Sequence, residues 1–278
     1  MPVIAMTQEM GSLAKDVALK LAESMGLSVM RHEVVDRVAG EMNVSKSLIS
    51  RLRGGRAGLV ERLTADRRSI ALYTADELFA LADRGDVVLR GWGATALLRP
   101  VPHVVCVRIT RSMPQRIAWL MEHLGTDDAG LAEAEIRRSD RAHAARMHEL
   151  YGVTWGDPLL YDAVLNTDRL SVGTCVETIR ELTLRPEFAA TPESRALLAG
   201  MALATRVRVA LKEHPATRDV DITIEARDAR VKLSGIVMRA EESARAEQVA
   251  AGVPGVAGVA NELRLMTPSR KFAASKET

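Results

Sequence analysis

Short β-branched runs alternating with amphipathic helical stretches predict an α/β fold over the first two thirds of the chain: a parallel sheet covered by helices on both faces. Two further observations complete the prediction. The alternation stops at Pro186–Pro192, and the remainder of the chain reads α-β-β-α-β, a second and smaller α+β module. Aromatic residues are 3% of the 278 residues while hydrophobic residues are 47%, so the core is built from Ala, Leu, Val, Ile and Met, which suits α/β layers better than an aromatic-rich sandwich. At this length one large or two unequal domains are expected, and the break at Pro186 selects two.

In chain order, Pro2 to Met6 is a short apolar run, Thr7 to Ser12 a loop, and Leu13 to Met25 a helix with Leu13, Val17, Leu21 and Met25 four apart on one face, stopped by Gly26. A helical region spans Glu33 to Leu52, and the Gly- and Arg-rich stretch Arg51 to Arg62 reads as a mobile loop. Thr64 to Ala82 is helical. Val87 to Arg90 and Val104 to Ile109 have the composition of strands buried on both faces and bracket Gly91-Trp92-Gly93-Ala94. Helices at Met113 to His123 and Ala129 to Leu150, a strand at Asp162 to Asn166 and a helix at Val172 to Thr183 close the domain. The second module has a helix Ala196 to Lys212, strands Asp221 to Glu225 and Arg230 to Ile236, a helix Ala240 to Ala251 and a strand Val256 to Leu265. The partition is therefore 1–185, a linker 186–195, 196–266 and a frayed polar tail 267–278.

Bulk properties exclude several classes. The net charge of +2, from 38 Lys and Arg against 36 Asp and Glu, gives no global field toward nucleic acid or anionic lipid. Cys106 and Cys175 have neither CxxC nor Cys/His spacing, so no disulfide framework and no metal site is expected, and a reducing cytoplasm is the expected compartment. No window is long and apolar enough for a membrane span, and the first residues lack the pattern of an export signal.

Three stretches carry a family resemblance: Ile4 to Ser12; Gly85-Asp86-Val87-Val88-Leu89 leading into Gly91-Trp92-Gly93-Ala94; and, most specific, Tyr151-Gly152-Val153-Thr154-Trp155 with Asp157-Pro158, Tyr161-Asp162 and Val164 to Ser171. Over roughly Val3 to Leu182 the chain resembles the cytidylate-kinase-like branch of the P-loop nucleoside monophosphate kinases. The resemblance implies a three-layer fold, ATP and Mg²⁺ as cofactors, and transfer of the γ-phosphoryl group to CMP or a similar nucleotide. Gly11, Ser12, Glu33 and Arg90 would contact nucleotide, Lys15 would hold phosphates, Arg141 and Arg146 would close over the reaction, and Asp140 would orient that lid.

The sequence departs from the family pattern at the sites where the chemistry is done. The strict G-x-x-x-x-G-K-[ST] loop is absent; Leu13 and Ala14 stand where further glycines are usual, and Asp16 stands near the metal-binding hydroxyl. Trp92 replaces the arginine that would grip the acceptor phosphate. The lid's Asp-x-x-Arg reads Asp140 and His143, with Arg137, Arg138, Arg141 and Arg146 around it, and an arginine in that role contributes on the order of 10³-fold or more.

Ala196 to Met266 resembles a BON module, on the hairpin Ile222 to Val237 with Gly235, the helix with Ala244, Ala246 and Ala250, and the ending Val253-Pro254-Gly255-Val256-Ala257-Gly258-Val259. That likeness implies attachment to a protein or phospholipid surface and no catalysis. Asp228-Ala229 replaces the commoner Asp-Gly at its hairpin turn. The alternative to a kinase is thus a non-catalytic nucleotide-binding scaffold or sensor acting through the BON module. A third reading rests on residues 34–52, where Ala39, Val44-Ser45-Lys46 and Ile49-Ser50-Arg51 have the spacing of a helix-turn-helix. Asn43 in place of the turn glycine argues against it, and nucleic acid is not the expected partner.

Overall fold

The computed structural model describes residues 1–30, 33–53, 56–57, 66–91 and 93–266, the side chains of Glu33 and Arg53 excepted. Trp92, most of the expected loop 51–62 and the tail 267–278 lie outside the described residues. The chain forms two compact units, 1–195 and 196–278.

In the first unit, β1 (Val3–Gln8), β2 (Ser28–Val29), β3 (Val87–Arg90), β4 (Val104–Thr110) and β5 (Ala163–Asn166) form a five-stranded sheet in the order β2-β3-β1-β4-β5. Every pairing is parallel, with Ala5 of β1 opposite Leu89 of β3 and Cys106 of β4. The central strands read as unbroken apolar runs because both faces are covered: Val3 to Met6 and Val104 to Val107 are buried throughout. Helix α1 (Ala14–Met25) packs Val17, Ala18 and Leu21 onto the sheet together with Cys175, Val176 and Ile179 of a later helix. The strand β2, too short to leave a periodic signal, is not apparent in the sequence.

The helical region after β2 is two helices, α2 (Glu33–Glu41) and α3 (Lys46–Arg53), so Arg51 to Arg53 are helical rather than part of a loop. Helix α4 (Arg67–Arg84) is capped by the Asp66 carboxylate accepting from Ser69 N, and Arg37 of α2 pairs with Asp76 of α4 at 3.1 Å. A short helix α5 (Ala94–Leu98) follows β3. Helix α6 (Met113–Leu124) follows β4, and α7 (Ala129–Tyr151) lies against α6 through Leu120, Ala132 and Ile136. Helix α8 (Val172–Thr183) ends the series.

Residues 186–195 hold a 3₁₀ turn, Pro186–Phe188, and the start of α9 (Pro192–Glu213); Ser194 is buried, its Oγ 2.8 Å from His103 Nδ1. In the second unit β6 (Ile222–Arg227) and β7 (Arg230–Val237) form an antiparallel hairpin, and β8 (Gly258–Leu265) adds parallel to β7 across helix α10 (Ala240–Ala251). Leu203, Val207 and Leu211 of α9 and Ala246 and Ala250 of α10 cover Ile224, Val231 and Leu233. The two-residue turn has φ +50° at Asp228 and +60° at Ala229, as a hairpin turn matched to strand twist requires.

Candidate functional site

In an open parallel sheet, ligands settle outside the carboxyl ends of the strands where the strand order reverses. Here that point is the end of β1, which lies between β3 and β4, and the loop Glu9–Leu13 leaves the sheet there to start α1. Gly11 has φ +81°, and a β-carbon on it would meet the Arg116 Cα and carbonyl at 3.2 Å, so conformation and space both demand glycine. Leu13 is also left-handed, φ +60° and ψ +14°, a conformation that costs an L-residue roughly 1–2 kcal/mol. The loop thus holds a glycine-like backbone at a leucine. Asp16 N and Val17 N both turn back to Leu13 O, while the amides of Leu13, Ala14 and Lys15 donate to no acceptor among the described residues. Ser12 is 1% exposed, and its hydroxyl also finds no partner there.

A buried charge network fixes this loop. Glu9 accepts from Arg108 at 2.6 Å, from Thr110 Oγ1 at 2.7 Å and from Arg111 N at 3.2 Å. Arg108 also donates to Trp155 O and lies 4.3 Å from the Trp155 ring centroid, while Trp155 Nε1 donates to Thr7 Oγ1. Arg116, 4% exposed, donates through Nε to Met10 O and through both terminal nitrogens to Asp140, at 2.9 and 2.7 Å. From below, Thr167 Oγ1 donates to Ser12 O and Thr110 O, and Asp168 accepts from Ser112 N. The Asn-Thr-Asp stretch therefore ties the sheet's end to the loop, and Arg116 ties the loop to α7.

Around the loop opens a cavity of about 510 Å³. Of the residues singled out from sequence it brings together Gly11, Ser12, Lys15, Arg90, Asp140 and Arg146, with Asp16 on the same wall. Lys15 is exposed to the cavity and forms no ion pair among the described residues. Arg90 donates to Gln8 Oε1 at 2.8 Å; burial lowers its pKa and the nearby Asp16 works against that. Burial likewise lowers the pKa of Arg146, whose NH2 is 3.5 Å from Leu52 O. Arg141 is elsewhere: it is exposed at the edge of a second cavity, which it shares with Arg146. Glu33 opens α2, its side chain outside the described set. His143 lines the loop cavity and packs on Trp155, ring centroids 4.4 Å apart.

Glu9, like Glu33, is a position the sequence places near the nucleotide, whereas Arg108 and Arg116, which anchor the loop, are not singled out by the sequence motifs. The signal is present in part: Arg108 interrupts an otherwise apolar strand, Val-Val-Cys-Val-Arg-Ile-Thr, where a charge persists only if it is paired. Among the described residues no cluster of three His, Cys, Asp or Glu could hold a metal ion, and no helix is long and apolar enough to cross a membrane.

Known proteins share both units of this architecture. Residues 3–169 match the Cytidylate kinase-like family and residues 201–267 the BON domain, so the chain carries a C-terminal BON domain. No curated protein matches the chain. Among solved structures, a protein from Eubacterium ventriosum ATCC 27560 superposes with a TM-score of 0.52 at 20% identity, over 66% of this chain and 98% of that one. Shikimate kinase from Bacteroides thetaiotaomicron gives 0.42 at 13% identity, over 65% and 97%. Deoxyadenosine kinase from M. mycoides gives 0.37 at 11%, over 64% and 97%. The first of these likenesses is one of fold.

Proposed function

The chain belongs to the cytidylate kinase-like family, and from that premise we propose that its N-terminal unit binds a nucleoside triphosphate and transfers its terminal phosphoryl group to a small acceptor, CMP being the family's model. The observation that carries the reading is the loop itself: three amides and the buried Ser12 hydroxyl, all without a partner among the described residues, lie at the positive end of α1. A buried hydroxyl without a partner costs about 1–3 kcal/mol, and successive inward N–H groups form a cradle for anionic oxygen.

The residues divide the work by type. The amides of Leu13 to Lys15 and the Ser12 hydroxyl donate to phosphate oxygens, with Lys15 as the mobile cation. Asp16 beside a polyphosphate is repulsive unless a cation stands between them, so it is the residue that would hold Mg²⁺, a hard ion that prefers oxygen ligands. Mg-ATP, when bound, supplies the phosphoryl group. An acceptor oxygen forms a bond to phosphorus as the bridging P–O bond breaks, its electron pair leaving on the diphosphate. Arg90 and Arg146 stabilise charge on the oxygens in flight, the main route to catalysis in phosphoryl transfer. Asp140, held by Arg116, positions α7 and with it Arg146.

One observation favours a second reading, nucleotide binding without turnover: Arg141 faces the other cavity, which leaves Arg146 as the arginine that α7 brings to the loop cavity. The DNA-binding reading is weaker, because Ile49 of α3, the helix that would enter a groove, is buried at 2% exposure. The BON domain is the attachment module in either case; Ile236, Met238, Leu265 and Met266, all at least half exposed, gather at the same end of β7 and β8.

Calorimetric titration of the full chain with Mg-ATP and with CMP, followed by a coupled ADP-release assay, tests the reading. Binding with turnover is the expected result. Binding without turnover selects the second reading, and no binding of either at millimolar ligand overturns both. Lys15→Ala should weaken Mg-ATP at least ~10-fold, about 1.4 kcal/mol; unchanged affinity would remove Lys15 from the site.

A further inference from the structure

The three-stranded sheet of the second unit has two edges, β6 and β8. Along β6 the helix α9 covers the backbone: Arg208 donates to Ile222 O at 3.2 Å, and a β-carbon on Gly200 would stand 2.4 Å from Ala226 O. Along β8 nothing comparable lies among the described residues. Met266 N donates to Val237 O at 2.8 Å, so by the alternation of a strand Ala260, Glu262 and Arg264 turn their backbone groups toward β7, and Val259, Asn261, Leu263 and Leu265 turn theirs away. One outward group is met locally, Leu263 N by Asn261 Oδ1 at 3.2 Å; the others have no partner among the described residues. An uncovered edge of 8 residues is a template for another strand, and natural sheets blunt such an edge unless they use it. The side chains along it are also unspent. Glu262 and Arg264, in register with Ser234 and Ile236 on the sheet face away from the core, are exposed and form no ion pair among the described residues, whereas Lys232 of β7 is taken by Glu225. Leu265 and Met266 are 55% and 50% exposed.

We infer that the β8 edge pairs with the β8 edge of a second copy of this chain, antiparallel about a twofold axis through Leu263, so that the two sheets become one. Two independent requirements select this register. Outward backbone groups must meet outward ones, so the axis passes through a residue and not between two. Charge then chooses the residue. With the axis at Leu263, Glu262 of each copy stands directly opposite Arg264 of the other, at a pair without ladder hydrogen bonds, where side chains approach most closely. Moving the axis by one residue sets Glu262 against Glu262 or Arg264 against Arg264, and like charges directly opposite destabilise a ladder. In the chosen register the outward backbone groups of Leu263 meet those of the other Leu263, its N–H exchanging the Asn261 side chain for a carbonyl, and Asn261 meets Leu265. Met266 falls opposite Ala260, so the exposed apolar end of β8 is covered by the same contact. The twofold makes every pairing occur twice, as in a self-complementary interface.

Sedimentation equilibrium of the full chain, from micromolar to near-millimolar concentration, tests the pairing. The expected result is a reversible equilibrium between monomer and dimer, weak because two strand edges make a small interface. Glu262→Arg and Arg264→Glu, made separately, each set like charges opposite one another at both symmetry-related pairs, and each should weaken dimerisation at least ~10-fold. Both positions are exposed, so neither reversal removes a core contact. An equimolar mixture of the two single variants brings opposite charges together again at both pairs and should dimerise as the unaltered chain does, as should the double reversal. An unaltered chain that stays monomeric throughout overturns the inference; if that monomer also sediments with anionic phospholipid vesicles, the apolar end of β8 serves a lipid surface instead. A dimer indifferent to both reversals, or a mixture that dimerises no better than either variant by itself, places the contact on another surface and overturns the inference too. None of these outcomes depends on nucleotide binding or turnover in the first unit.

Discussion

The two units spend their polar residues differently. In the first, Arg108 and Arg116 are buried with Glu9 and Asp140 around them, and Ser12, Thr74, Asp76 and Thr167 are buried too. In the second, Thr217 is the buried polar side chain among the described residues, the core is wholly aliphatic, and the ion pairs Lys232–Glu225 and Arg239–Glu242 lie at the surface. A buried ion pair offsets its desolvation only when every donor and acceptor is met, and an apolar replacement of the same volume is often as stable. Charges kept inside at that cost are kept for what they position. The contrast supports the proposed division, with chemistry in the first unit and surface contact in the second.

The sharpest break of this contrast is to remove one buried partner and one exposed partner and compare. Arg116→Ala strands Asp140, removes one of the cations beside Glu9 and releases the Met10 carbonyl, and should cost about 3–5 kcal/mol in denaturant unfolding, with loss of Mg-ATP binding. Lys232→Ala on the outer face of β7 should leave the unfolding midpoint nearly unchanged. Equal losses would mean that the buried network carries no more than a surface pair does. Next in size is Gly11→Ala. It meets both a positive φ and the backbone of α6, and should cost about 1–3 kcal/mol by the same measurement.

Residues as different as Gly11 and Arg116 also differ in how far the sequence reveals them. The strands β1, β3 and β4 are legible because burial on both faces forces unbroken apolar runs, and α1 and α8 because their buried positions repeat every three or four residues. The loop Gly11-Ser12-Lys15 is legible from type and order along the chain. Arg116 is not, because its three partners, Met10, Glu9 and Asp140, lie 106, 107 and 24 positions away, and pairing across such distances leaves no local pattern. Arg141 and Arg146 look equivalent in sequence. Five positions on a helix of 3.6 residues per turn separate them by most of a half-turn, which is enough to keep Arg141 out of the loop cavity that Arg146 reaches.

A smaller effect separates the units again through the same local defect. Leu13 and Ala229 both hold a left-handed backbone at φ +60°, one in the loop and one in the β6–β7 turn. Glycine relieves roughly 1–2 kcal/mol of strain at such a position and returns part of it as chain entropy, for a net gain of up to about 1 kcal/mol. Leu13→Gly and Ala229→Gly should therefore stabilise similarly, while only Leu13→Gly should strengthen Mg-ATP binding, by freeing space in the cradle. No gain in binding from Leu13→Gly would mean that the leucine backbone already holds the phosphate-binding conformation.

The smallest expected effect is a dependence on pH confined to the first unit. His103 is buried against Ser194, and burial, with Arg195 adding to it, lowers its pKa below the ordinary histidine value of 6.5. The unfolded chain therefore takes up a proton that the native unit resists. The stability tied to a neutral His103 is complete above pH 6.5 and is lost progressively as pH falls toward the depressed native value. All three tryptophans, at 92, 119 and 155, belong to the first unit, so their fluorescence follows its unfolding while far-ultraviolet dichroism follows both. Between about pH 7.5 and 5.5 the fluorescence midpoint should fall. In His103→Gln, which keeps a polar partner for Ser194 but cannot titrate, that fall should shrink. An unchanged slope would assign the acid sensitivity to another group of the first unit, and the contact between His103 and Ser194 would then be one of packing alone.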